Sequence, residues 1–246
     1  MENNITPIPY MGGKSRYVKS IMPYIPPGID AYIEPFMGSA ALFFSGEQWA
    51  NMEVLNDTNS DVVNFFRTLR QEPEELKRLI SFTPYSREEF YDCLKIIRSK
   101  NEDNLTRAWA FYVTVSQSIM NAAISWAGTA ISTSDEAQRR INREEILLQA
   151  AERLKKAIID NQDYLYILNK YENKNSFFYL DPPYLSLKDD DMTRRAYRGA
   201  AFREEKHIEL LEKITQMKGF ILISGYQNAL YDQKLKGWHK MTIKEK

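Results

Sequence analysis

Short apolar runs that end at polar or turn residues alternate with helical patterns along this chain. That alternation limits the fold more than any other feature. The runs are Ala31–Glu34, Glu53–Asn56, Ala157–Asp160, Phe177–Leu180 and Phe220–Ser224. Between them lie segments with apolar residues at helix spacing, Asp61–Leu69, Glu205–Met217 and Gln227–Leu235. Strands that alternate with helices predict an α/β fold with a mostly parallel sheet.

The middle of the chain departs from that rhythm. From about Pro73 to Leu154 the pattern is mainly helical, with Glu88–Arg98 and Leu105–Met120 as its clearest helices and Glu144–Lys156 closing it. Small, polar and glycine residues interrupt it over Asn121–Asp135. The expected organisation is an α/β domain formed by residues 1–72 and 157–246, with a helical insertion over residues 73–156.

Composition removes several function classes. The 246 residues, 43% of them hydrophobic, are ample for one sizeable core. Basic and acidic residues balance at 33 each, so any nucleic-acid contact must come from a local basic face. A single cysteine, Cys93, excludes an intramolecular disulfide and a cysteine-based metal cluster. The first residues, MENNITPIPY, lack a basic region followed by an apolar one, and the longest apolar stretch, Ala108–Ile119, is too short to span a bilayer. A cytoplasmic protein with no membrane contact and no metal is expected.

Four segments carry chemistry. Tyr10-Met11-Gly12-Gly13-Lys14 pairs two glycines that permit a tight turn and close ligand approach; it also reads as an ordinary turn before a helix starting near Ser15. Ala31–Leu42 reads as strand, tight loop and helix, with Gly38 and Ser39 where a cofactor could reach the backbone. It lacks both the dinucleotide fingerprint and a phosphate-binding loop. Asp57 ends the next strand, where an acid can bind ribose hydroxyls, although Asp57 or Thr58 could equally cap the following helix. Asp163 repeats that strand-end acid and is as open to a capping role.

The fourth segment is the most specific. Phe177–Leu180 delivers Asp181, followed by Pro182, Pro183 and Tyr184. Consecutive prolines lack N–H donors and fix φ, which leaves the Asp181 and Pro182 carbonyls rigid and without local partners. Acceptors set beside a flat ring complement an exocyclic amine on a planar base.

Taken in order, the YxGGK element (Tyr10–Lys14), EPFxGSAALFF (Glu34–Phe44), NDxN (Asn56–Asn59) and DPPY (Asp181–Tyr184) resemble the Dam-like, alpha-group DNA adenine N6-methyltransferases. The resemblance runs from Pro9 to about Trp238. It implies a Rossmann-like sheet that binds S-adenosylmethionine, a target-recognition insertion, and methyl transfer to a flipped adenine in double-stranded DNA. By similarity, Tyr10, Gly12, Gly13 and Lys14 contact the cofactor, and Glu34, Pro35, Phe36, Gly38 and Ser39 form its methionine-side pocket. Asp57 holds the ribose or an adjoining polar edge, and Asp163 the adenine side. Asp181 serves both cofactor and target amine, Pro182 and Pro183 shape the amine site, and Tyr184 stacks on the base.

Local basic clusters are candidate phosphate contacts: Arg139 and Arg140 with Arg143, and Arg194, Arg195 and Arg198 beside Tyr197, followed by Arg203. They read equally as solvated surface charge. A cognate restriction endonuclease is a possible partner. The same acceptor geometry also suits cytosine N4 or adenine in RNA, and a catalytically impaired DNA-binding relative is a non-enzymatic alternative. Two departures bear on these readings. The family continues beyond the strand near Phe220 into further strands, whereas this sequence stops at Ile243-Lys244-Glu245-Lys246, which predicts a short C-terminal end. The insertion also lacks the hairpin that reads GATC in the best-known members, so the target sequence stays open.

Overall fold

The computed structural model describes residues 6–119, 123, 125–127, 145–185 and 202–243. Its strands are β1 (Ala31–Glu34), β2 (Met52–Asn56), β3 (Ile158–Asp160), β4 (Ser176–Leu180) and β5 (Phe220–Ile223). They form one sheet in the order β3-β2-β1-β4-β5 with every pairing parallel. Each apolar run expected to be a strand is one, within a residue at either end.

The runs lack strong polar alternation because both faces of the sheet are covered. Tyr32, Leu55, Phe177 and Tyr179 point into one core. Ala31, Ile33, Val54, Phe178 and Leu180 point into the other. The first core is covered by helices α2 (Ser60–Gln71), α3 (Pro73–Phe82), α4 (Arg87–Ser99), α5 (Asn104–Ser116) and α6 (residues 145–154). The second is covered by α7 (Tyr164–Lys170) and α8 (Glu204–Gln216). A one-turn helix α1 (Val18–Ile21), a short α9 (Ala229–Lys234) and 3-10 turns at Met22–Tyr24 and Phe43–Ser45 are the remaining helical elements among the described residues.

Local chemistry sets the helix boundaries. Asn59, Ser86, Asp103 and Asp163 each accept a backbone N–H in the first turn of α2, α4, α5 and α7. Ser86 with Glu89 is the S-x-x-E spacing, and Pro73 opens α3 where its missing N–H costs nothing. Helix α5 stops at Ser116, short of the expected Met120. There the Gln117 carboxamide donates to the Pro84 carbonyl at 3.0 Å, and the Gln117 carbonyl accepts from Ala127 N–H, so the chain turns back.

Two expectations need correction. The helix expected after the Gly38 loop is replaced by turns and a 3-10 turn at Phe43–Ser45. Ala40 has φ +52°, outside the right-handed helical region, and the Trp49 indole takes the carbonyls of Leu42 and Phe43. The helix near Ser15 also begins late, at Val18, after a turn closed on the Lys14 carbonyl. No helix among the described residues is long and apolar enough to cross a membrane.

Candidate active site

A parallel sheet aligns the carboxyl ends of its strands along one edge. Here the strand order reverses between β1, which leads to β2 on one side, and β4 on the other. Ligands of open α/β sheets bind at such a switch point. A cleft of about 1230 Å³ opens there, larger than the roughly 300–1000 Å³ of a site for one drug-sized ligand.

Asp181 follows directly on β4 and stands on the cleft floor. Its Oδ2 accepts from Lys14 Nζ at 2.6 Å and its Oδ1 from Ser224 Oγ at 2.6 Å. Lys14 and Asp181, 167 positions apart, meet because the N-terminal turn reaches the end of β4, and Ser224 reaches Asp181 because β5 pairs with β4. Lys14 Nζ also donates to the Gly12 carbonyl at 2.6 Å and lies 4.7 Å from the centre of the Tyr184 ring. Tyr184 meets Tyr226 edge-on at 4.8 Å, and burial with the nearby Asp181 carboxylate pushes its phenol up, so it is a neutral ring at physiological pH.

The β1 end of the cleft is built of backbone turns. Gly13 N–H donates to the Tyr10 carbonyl at 3.0 Å, and a Cβ on Gly13 would stand 3.0 Å from that oxygen and 3.2 Å from Ser39 Oγ. Gly38 has φ +46° and would set a Cβ 3.3 Å from the Tyr10 ring. Asp57 holds this loop in place, accepting Gly38 N–H at 3.0 Å and Asn59 N–H at 2.8 Å. It is not the helix cap; Asn59 caps α2, and its side chain also donates to the Tyr10 hydroxyl at 3.3 Å. Gly38→Ala should cost about 1–2 kcal/mol of stability from the left-handed backbone. Denaturant unfolding checks this, and an unchanged midpoint would show that the loop relaxes without strain.

Asn56, at the end of β2, ties three loops together. Its side-chain N–H groups donate to the carbonyls of Pro35 (2.9 Å) and Gln162 (3.1 Å), and its oxygen accepts Gln162 N–H at 2.8 Å. Pro35 thus lies behind the cleft wall, whereas the other expected cofactor residues line it. Asp163 caps α7 through Leu165 N–H at 2.8 Å and also lines the cleft. Phe36, Tyr164 and Phe202 form a ring cluster on the same wall.

Two carboxyls are strongly affected by this setting. Burial pushes Glu34 up to about 8, against the opposing pull of hydrogen bonds from the Tyr32 hydroxyl and Phe43 N–H. Burial likewise raises Asp57 to about 6, against the N–H groups of Asn59 and Gly38. Both acids keep their protons in the native state at pH values where the unfolded chain has lost them. Native protein therefore binds more protons than unfolded, and stability falls as pH rises. From about pH 7 to 8, above the Asp57 transition, that decline belongs mainly to Glu34. Glu34→Gln should flatten it in urea titrations taken across this range; an unchanged slope would assign the decline elsewhere.

Sequence reasoning gave Asn56 and Asn59 no role of their own within the NDxN element and passed over Ser224 and Tyr226 as site residues. Ser224 ends the last apolar run, and parallel pairing of β5 beside β4 puts that end next to Asp181. Arg139, Arg140, Arg194, Arg195, Tyr197 and Arg198 lie outside the described residues, as does most of the Asn121–Asp135 segment. Among the described residues no group of three or more His, Cys, Asp or Glu side chains is placed to hold a metal ion.

Comparison with known proteins agrees with this geometry. A Type II methyltransferase of Lactococcus lactis subsp. cremoris, M1.LlaDCHI, is 23% identical over 94% of this chain and 84% of its own. Another, M.CviBI of Paramecium bursaria Chlorella virus NC1A, is 27% identical over 92% and 85% respectively. The DNA N-6-adenine-methyltransferase of Escherichia phage P1 is 36% identical over a shorter stretch, 42% of this chain and 14% of its own. The family model of D12 class N6 adenine-specific DNA methyltransferases matches residues 10–246, which carry the whole lining of the switch-point cleft from Tyr10 to Tyr226. This chain belongs to that family, whose members methylate the N6 amino group of adenine in DNA.

Proposed function

We propose that the methyl donor is S-adenosyl-L-methionine and that Asp181–Tyr184 is the amine site. The observation that carries this reading is Asp181, fixed at the switch point by Ser224 and Lys14 with the Tyr184 ring alongside. The residues present suit that donor. Gly13 and Gly38 let the two turns pack closely against Tyr10 and Ser39 along the cleft, while Asp57 and Asp163 supply acceptors for ammonium and ribose hydroxyls and Glu34, which keeps its proton, lines the cleft beside them. Asp57 uses two of its roughly four lone-pair sites on backbone N–H groups, which leaves others for a ligand. Lys14 lines the cleft with its charge matched by Asp181. When bound, the donor supplies an electrophilic methyl group on a sulfonium.

The chain's own residues orient the nucleophile. A base inside a duplex cannot present its amine, so the adenine is turned out and stacked on Tyr184. The Asp181 carboxylate and the Pro182 carbonyl accept its two amine hydrogens and stabilise the positive charge that develops on nitrogen. Ser224 and Lys14 stop the carboxylate from rotating, so alignment is prepared before the base arrives.

Residues 1–72 and 157–246 form the catalytic unit in this reading, and residues 73–156 the target-recognition insertion. Arg139, Arg140, Arg194, Arg195 and Arg198, with Tyr197, are the proposed DNA contacts. The Type II relatives suggest a cognate restriction endonuclease, and we place the work of this enzyme in the cytoplasm. The direct test is transfer of labelled methyl groups from S-adenosylmethionine to plasmid DNA, followed by nucleoside analysis and mapping of modified sites. N6-methyladenine at one short sequence is expected. Label on cytosine, or none with any duplex, would overturn the reading.

A further inference from the structure

The donor and amine sites account for only part of the cleft. Another part of its wall comes from the C-terminal half of α4, which lines it with Leu94, Ile97 and Arg98, and from Lys100 just past the helix. Leu94 and Ile97 are buried, whereas Arg98 and Lys100 are exposed and stand on the rim. Lys100 has φ +57°, and the turn it makes brings its ammonium within 3.4 Å of the hydroxyl of Ser60, the first residue of α2. Ser60 lines the same cleft.

Charge matching sets this rim apart. Among the described residues four cations line the cleft: Lys14, Arg98, Lys100 and Lys206. Lys14 is matched by Asp181 and Lys206 by Glu209. Asp61, next to Ser60, is already held by Arg107 of α5 at 2.7 Å. Arg98 and Lys100 have no acidic partner among the described residues. The carbonyls at a helix end favour a cation in the last turn, which suits Arg98. They do not account for Lys100, which lies beyond the helix and turns to α2.

A cationic pair left unmatched at the mouth of a cleft is open to an anion from outside the chain, and the DNA substrate brings one. A nucleotide leaves the duplex by turning about its backbone, so its base enters the cleft while its phosphates stay at the mouth. We propose that Arg98 and Lys100 bind the phosphates beside the flipped adenosine, holding the target strand at the rim while Asp181–Tyr184 receives the base. The inference rests on the reading of the cleft as the shared site of donor and base. Contacts of this kind fix register and orientation and carry no sequence information, so the pair acts on affinity for any site the enzyme recognises.

The test is the salt dependence of binding to a labelled duplex that carries a site mapped on methylated plasmid DNA. Each of Arg98→Gln and Lys100→Gln should weaken binding about 5- to 10-fold at roughly 0.1 M salt and make the slope of log affinity against log salt shallower by about 0.9. The double variant should lose about twice that slope. Lys95→Gln removes the same charge from an exposed position of the same helix outside the cleft lining, and should leave the slope unchanged. Affinity for S-adenosylmethionine, read by calorimetry without DNA, should not change in the double variant. An unaltered slope in that variant, or an equal loss from Lys95→Gln, would overturn the proposal. So would weaker donor binding with the slope retained, which would assign the pair to the donor's carboxylate. Duplex binding needs no methyl transfer, so failure of the amine-site reading would show separately, as an active Asp181→Ala protein.

Discussion

Replacing Asp181 with alanine is expected to lower the single-turnover rate of methyl transfer to duplex DNA about 10²- to 10³-fold, the loss typical of a preorganised group aimed at developing charge. The argument is geometric. Both Asp181 oxygens are engaged, one by Lys14 and one by Ser224, so the carboxylate has one orientation before any ligand arrives. Alanine removes the acceptor for the amine and strands Lys14, only 11% exposed, over the Tyr184 ring. Asp181→Asn keeps the Ser224 bond but turns an amide N–H₂ toward the lysine, so it should fare no better than about tenfold above alanine. Ser224→Ala leaves the acceptor in place and loosens it, and its loss should be smaller than either. Rapid-quench measurements with labelled donor rank the three. An Asp181→Ala protein that transfers methyl groups at the wild-type rate would sink the amine-site reading.

The sheet was legible because its buried central strands, β1, β2 and β4, and the apolar edge strands beside them leave a signal that survives in short windows. Phe177–Leu180 is apolar on both faces, and it can be so only between two covered layers. The motif residues were legible for a related reason: Gly13, Gly38, Pro182 and Pro183 are fixed by backbone requirements that few other residues meet. Side-chain partnerships across the strand ends were less accessible. Asp57 reads as a cap from its position, yet its carboxylate faces backward to Gly38 N–H while Asn59 does the capping. That choice depends on where the Gly38 loop crosses, which no local pattern encodes. Ser224 and Tyr226 carry no motif at all; only the adjacency of β4 and β5 gives them meaning. The lost helix after Gly38 has the same origin, since its carbonyls are claimed by Trp49 and by Arg153, 110 residues from Phe43.

Arg153 is also where the largest loss of stability is expected. Its guanidinium, on α6, bonds both oxygens of Glu53 on β2, at 2.6 and 2.5 Å, with side-chain exposures of 8% and 2%. It donates to the Gly46 carbonyl at 2.8 Å and lies 3.7 Å from the centre of the Phe43 ring. Breaking such a pair from one side leaves an uncompensated buried charge, so Arg153→Ala should cost about 3–5 kcal/mol. For a chain of this size that corresponds to a fall of roughly 10 °C in the unfolding midpoint. The carboxylate would keep only Trp49 N–H at 2.8 Å. Replacing both partners removes the stranded charge, so Arg153→Met with Glu53→Leu should recover much of the loss, and thermal unfolding of the set gives the comparison. A midpoint for Arg153→Ala within about 2 °C of wild type would mean that water reaches Glu53 and the pair is not a staple. The clamp meets the active site at second hand, through Phe43, whose N–H donates to Glu34, and through Trp49, whose ring stacks on Tyr32 beside the same carboxyl. At temperatures where the Arg153→Ala protein is still folded, its methyl-transfer rate should therefore stay near wild type. Loss of activity should follow loss of structure, the reverse of the order expected for Asp181→Ala.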